Sequence, residues 1–107
     1  MMRAAIIGIG LIFLGLFLCG PAAAHTPLCS CYENGDGTVT CEGGFSDGSS
    51  ASGVRMRVEK SGGGVLIEGK MSEDSEYTFD KPDTAYRVVF DGGEGHVIEI
   101  DGKEIVE

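Results

Sequence analysis

Two histidines, His25 and His96, and three cysteines, Cys29, Cys31 and Cys41, are the residues of this sequence best suited to chemistry. Four of the five crowd into one stretch, AAAHTPLCSCYENGDGTVTC, from Ala22 to Cys41. The alanines ahead of His25 are the small residues a signal peptidase reads. Cleavage between Ala24 and His25 would put an α-amine and an imidazole on the same residue. Their unperturbed pKa values, about 7.7–8.0 and about 6.5, leave usable lone pairs near neutral pH. The two nitrogens close a chelate ring on Cu(II) or Ni(II), which favour nitrogen ligands in planar or tetragonal arrangements. Pro27 has no amide proton, so a deprotonated-amide chelate cannot extend through it. A complete site needs a second side chain from elsewhere. His96, at a strand start after a glycine-rich loop, is the candidate, although taken alone it reads rather as an exposed strand-end histidine.

The cysteines have three readings. A disulfide between Cys41 and either Cys29 or Cys31 would staple a small exported domain and leave one thiol over. A thiolate site joined by His25 or His96 would suit Cu(I) or Zn(II). Thiol redox exchange is the third, because Cys-x-Cys on a strand points both sulfurs to one face.

These residues need a scaffold, and the sequence describes one. Leu28 to Tyr32 and Thr38 to Glu42 read as strands around Asn34-Gly35-Asp36-Gly37, a strong hairpin signal. The same turn faintly matches a calcium loop, but Tyr32 and Gly43 stand where its first and last carboxylates belong. Gly43 to Gly53 is a glycine- and serine-rich loop with Phe45 as its apolar anchor. Beyond it Val54, Met56 and Val58 alternate with Arg55, Arg57 and Glu59, the period of a half-buried strand. Further strands are predicted at Val65–Glu68, around Tyr77 and Phe79, at Tyr86–Phe90 and at His96–Ile100. Asp101-Gly102 predicts a last tight hairpin into Glu104–Val106. Helical periodicity is absent beyond residue 24. The expected fold is all-β, an antiparallel sandwich of seven or eight short strands.

Residues 1–24 are set apart as a signal peptide: Arg3, an apolar run from Ala4 to Cys19, then Pro21 and the alanines. That run is shorter than the roughly 20 residues of a membrane span, and Leu18 before Cys19 does not suit a lipoprotein signal. Residues 25–107 then form one domain, periplasmic or secreted. This part holds all 17 acidic residues and every base except Arg3, for a net charge of −10. Such acidity excludes an ordinary nucleic-acid-binding role. The sequence contains no G-x-S-x-G, no HExxH and no phosphate-binding glycine loop opening a helix, so no catalytic role is expected.

The run GVRMRVEKSGGGVLIEGKMSEDSEYTFDKPDTAYRVVF resembles the carboxypeptidase-regulatory-like, prealbumin-type Ig-like β-sandwich domains. Glu73-Asp74-Ser75 departs from it where that family usually carries a glycine. The following DGGEGHVIEIDG is similar to the tail of small Ig-like periplasmic proteins encoded alongside nickel and cobalt uptake systems. His25 as an N-terminus resembles the N-terminal histidine of copper-binding CopC-type proteins. These resemblances imply an Ig-like sandwich that binds a transition metal (Ni, Cu or Co) and serves an envelope metal transporter, with no catalysis. The alternative is a non-catalytic interaction module of the cell envelope, recognising a partner through sheet edges or the Gly43–Gly53 loop.

Overall fold

The computed structural model describes residues 25–107. The signal peptide expected over residues 1–24 lies outside the described residues. Seven strands follow in order: β1 (Pro27–Glu33), β2 (Thr38–Phe45), β3 (Arg55–Lys60), β4 (Val65–Lys70), β5 (Glu76–Asp80), β6 (Tyr86–Asp91) and β7 (Val97–Asp101). They form two antiparallel sheets, one ordered β1-β2-β5 and the other β4-β3-β6-β7. The all-β expectation holds, with seven strands rather than eight.

Alternation sets which side chains meet between the sheets. Val39 and Cys41 of β2 and Phe79 of β5 face inward from the smaller sheet. Met56 and Val58 of β3, with Tyr86, Val88 and Phe90 of β6, face them from the larger. Ala51, Met71 and Ile105 fill in from the connections. The Gly43–Gly53 loop is therefore anchored by Ala51, which is fully buried, while Phe45 ends β2 and packs only partly against the core.

The hairpin between β1 and β2 follows from its turn residues. Gly35 and Gly37 take φ of +81° and +92°, conformations that side chains rarely adopt. Asp36 Oδ1 accepts from the Thr38 amide at 3.0 Å and from its hydroxyl at 2.6 Å, and the Asn34 amide nitrogen donates to the Thr38 and Thr40 hydroxyls. The polar groups that faintly match a calcium loop thus close the turn.

The last predicted hairpin does not form. The Asp101 carboxylate accepts from the Lys103 amide at 3.0 Å and caps a single 3-10 turn, Gly102–Glu104. Ile105 then drops into the core at 4% exposure, and the Val106 carbonyl accepts from the Glu33 amide of β1 at 2.9 Å. Burying Ile105 is worth about 1.5–3 kcal/mol, so the chain end closes the core instead of adding a strand.

Candidate metal centre

At one end of the sandwich the start of β1, the end of β2 and the β6–β7 turn come together. The lead-in is tied across to the residue after β2: the Thr26 amide donates to the Ser46 hydroxyl, and the Ser46 amide to the Thr26 carbonyl, both at 2.8 Å. This places the His25 ring on Phe45, with centroids 4.5 Å apart and planes within 11°. Across the sandwich, the β6–β7 turn is held by the Gly92 amide on the His96 carbonyl at 3.0 Å and the His96 amide on the Gly93 carbonyl at 2.9 Å. Gly93 and Gly95 supply φ of +100° and +78°. The result brings His96 against His25, with ring centroids 5.2 Å apart and an interplanar angle of 72°.

The hydrogen bonds decide which nitrogens are free. His25 Nδ1 lies 2.9 Å from Asp47 Oδ2, and His96 Nδ1 lies 3.1 Å from the Glu94 carbonyl oxygen. A carboxylate and a carbonyl only accept, so both Nδ1 atoms donate and each neutral ring keeps its lone pair on Nε2. Metal-binding histidines are oriented in this way, with the second ring nitrogen donating to a carboxylate or carbonyl. The separation fits as well. With metal–nitrogen bonds of about 2.0–2.1 Å, each ring centroid lies about 3.2 Å from the ion, and two cis imidazoles have centroids about 4.5–5.2 Å apart.

Asp47 was legible only as a loop residue. Its Oδ1 accepts from the Ser49 amide at 3.0 Å and hydroxyl at 2.6 Å, leaving Oδ2 for His25. The two Ser49 donors, and then His25, hold its carboxyl well below the usual carboxylate range. The asparagine-like turn Asp47-Gly48-Ser49 was a readable signal, but nothing in it pointed to a histidine 22 residues earlier.

The cysteines resolve differently. Cys31 and Cys41 are directly opposed in the β1–β2 register and form the disulfide. Cys29 pairs with Gly43, remains a free thiol, and burial pushes its pKa up to about 11. Among the described residues, one group of three or more His, Cys, Asp or Glu donors is drawn tightly together. It is Cys29, Cys31 and Cys41, whose sulfurs all lie within 4.8 Å of one another and could hold a metal. While the disulfide stands, two of those sulfurs are neutral and the third is a protonated thiol. The structure therefore joins His25 to His96 and Cys29 to Cys31 and Cys41 in two separate groups.

No family model, curated protein or solved structure matches this chain.

Proposed function

We propose that the chain is an exported small metal-binding protein that takes one transition-metal dication, Ni(II), Cu(II) or Co(II), between His25 and His96, for uptake or buffering beside an envelope metal transporter. One observation carries this reading: two rings 71 positions apart in sequence stand 5.2 Å apart, each with Nδ1 engaged by an oxygen acceptor. An imidazole pair suits these ions, and the acidic surface attracts cations. An exported location is supported by the disulfide, which persists in oxidising compartments. Among the described residues, no helix is long and apolar enough to cross a membrane.

The binding mode differs from an amine–imidazole chelate. That chelate closes through Nδ1, the atom Asp47 engages, whereas the Nε2 pair leaves the Asp47 contact in place. Calorimetric titration of the chain beginning at His25 with Ni(II) and Cu(II) tests the reading. One ion per chain is expected, lost on His96→Ala and kept when one extra residue precedes His25. Retention in His96→Ala together with loss on the N-terminal extension would replace the ring pair by the amine chelate. No binding in any form would favour the interaction module, whose candidate edge is β4 with its exposed Val65 and Leu66.

A further inference from the structure

The sulfur cluster poses a separate question, independent of the imidazole pair. Cys31 and Cys41 face each other across the ladder, and Cys29 sits two residues along the same inward face of β1. Diagonal positions in a sheet lie about 7–8 Å apart, beyond ordinary disulfide reach, and alternate residues of one strand lie about 6.4–6.8 Å apart, at its outer limit. Cys29 is therefore poorly placed to take over either bond by exchange. Three thiolates converging on one ion face no such limit. Metal–sulfur bonds of about 2.3 Å put sulfurs about 3.8–4.0 Å apart, and the three Sγ atoms already lie within 4.8 Å.

A fourth sulfur lies over the cross-strand partner of Cys29. Gly43, the cross-strand partner of Cys29, has no side chain, and a Cβ there would lie 2.6 Å from Met71 Sδ. Glycine at this position lets the buried Met71 thioether rest on the sheet over the residue that faces Cys29 across the ladder. Cys29 is half-buried, and an open groove of about 370 Å³ runs along its part of β1 and the facing stretch of β2, lined by Leu28, Cys29, Ser30, Glu42, Gly43 and Gly44.

We propose that Cys29, Cys31 and Cys41, with the Met71 thioether, form a second metal site for Cu(I), closed by the Cys31–Cys41 disulfide and opened by its reduction. A dithiol reductant breaks the S–S bond, giving two thiols and becoming a cyclic disulfide. Cu(I) then binds the sulfurs, and each thiol that coordinates releases its proton to water. The thiolates suit Cu(I) and Zn(II) alike, and the added thioether, a soft neutral donor, tips the set toward Cu(I). The disulfide and the metal compete for the same two sulfurs, so each state excludes the other.

The test is competition for Cu(I) against a coloured Cu(I) chelator, using chain 25–107 before and after dithiol reduction under argon. Reduced protein should withdraw one Cu(I) per chain and oxidised protein none, with X-ray absorption showing a sulfur shell at about 2.3 Å. Cys29→Ser preserves the disulfide and should bind Cu(I) at least about tenfold more weakly once reduced, since losing a ligand costs no less than losing an outer partner. Met71→Leu should weaken Cu(I) and leave Zn(II) affinity unchanged. His96→Ala, which removes the imidazole site, should still take Cu(I) when reduced. If reduction unfolds the chain, Cu(I) should restore the β-sheet circular dichroism. Equal uptake by oxidised and reduced protein, a nitrogen-containing shell, or a reduced chain left unfolded with Cu(I) would overturn the proposal.

Discussion

The side chains that matter most are governed by what holds their second atoms. His25 and His96 are ordinary histidines until Asp47 and the Glu94 carbonyl fix their tautomers and turn both Nε2 lone pairs loose. Asp47→Ala should therefore weaken Ni(II) or Cu(II) binding by about 10–100-fold, the usual cost of losing an outer partner, while circular dichroism stays unchanged. An unaltered affinity would show that the hydrogen bond does not position the ring. Both histidines were readable as ligands from their type and from the cleavage pattern. Their meeting was not, because it depends on the Thr26–Ser46 tie and on the β6–β7 turn, neither of which leaves a periodic trace. The cysteine pairing was open for a related reason: Cys29 and Cys31 share one face, so a two-residue change of hairpin register exchanges them opposite Cys41 without altering the burial pattern, and the register Cys31↔Cys41 is set by how the Asn34–Gly37 turn closes.

The strands themselves were legible, since alternation in β3 and β6 reports burial directly. The exceptions are places where a local polar group redirected the chain. Asp101 capping its own turn converted a predicted strand into a 3-10 turn, and Met71, in the otherwise polar connection between β4 and β5, is part of the core. Gly43 is the clearest test of how tightly elements are packed. A methyl group there would meet Met71 Sδ at 2.6 Å and the Phe90 ring at 2.9 Å. Gly43→Ala should cost about 1–3 kcal/mol, the range for overpacking a filled core, read as a lower denaturant midpoint. A neutral result would mean that Met71 moves away freely. The β6–β7 turn offers a second test. Asp91 accepts from Arg57 at 2.8 Å through Oδ2 and from the Gly93 amide at 3.1 Å through Oδ1, linking the outer face of β3 to the turn that presents His96. Asp91→Ala should loosen that turn, seen as faster amide exchange at Gly93 and His96, and weaken dication binding without touching either ring.

Across the described residues, a small core is reinforced by the Cys31–Cys41 staple and by ion pairs on the larger sheet. Closing the short loop between Cys31 and Cys41 is worth about 3 kcal/mol in the chain-entropy account, so Cys41→Ser should lower the unfolding free energy by about that much. Glu59 lies between Arg87 at 2.9 Å and Arg57 at 3.1 Å, and these partners, Arg87 first, hold its pKa below the usual value. Arg57 and the Gly93 amide do the same for Asp91. Depressed carboxyl pKa values contribute stability that is complete above the unfolded value, near 4, and lost as pH falls through the folded value. Urea midpoints should be flat in this respect from about pH 5 to 8 and decline below about pH 4. Arg57→Gln should make that decline shallower, and an unchanged acid profile would show that the pairs contribute nothing. The central claim is that one ion joins two imidazoles from opposite sheets. Pulsed electron paramagnetic resonance of the Cu(II)-loaded chain beginning at His25 counts the imidazoles by their remote nitrogens. Two coupled rings, falling to one in His96→Ala, is the predicted result; a single ring in the unaltered chain, with an identical spectrum in His96→Ala, would contradict it.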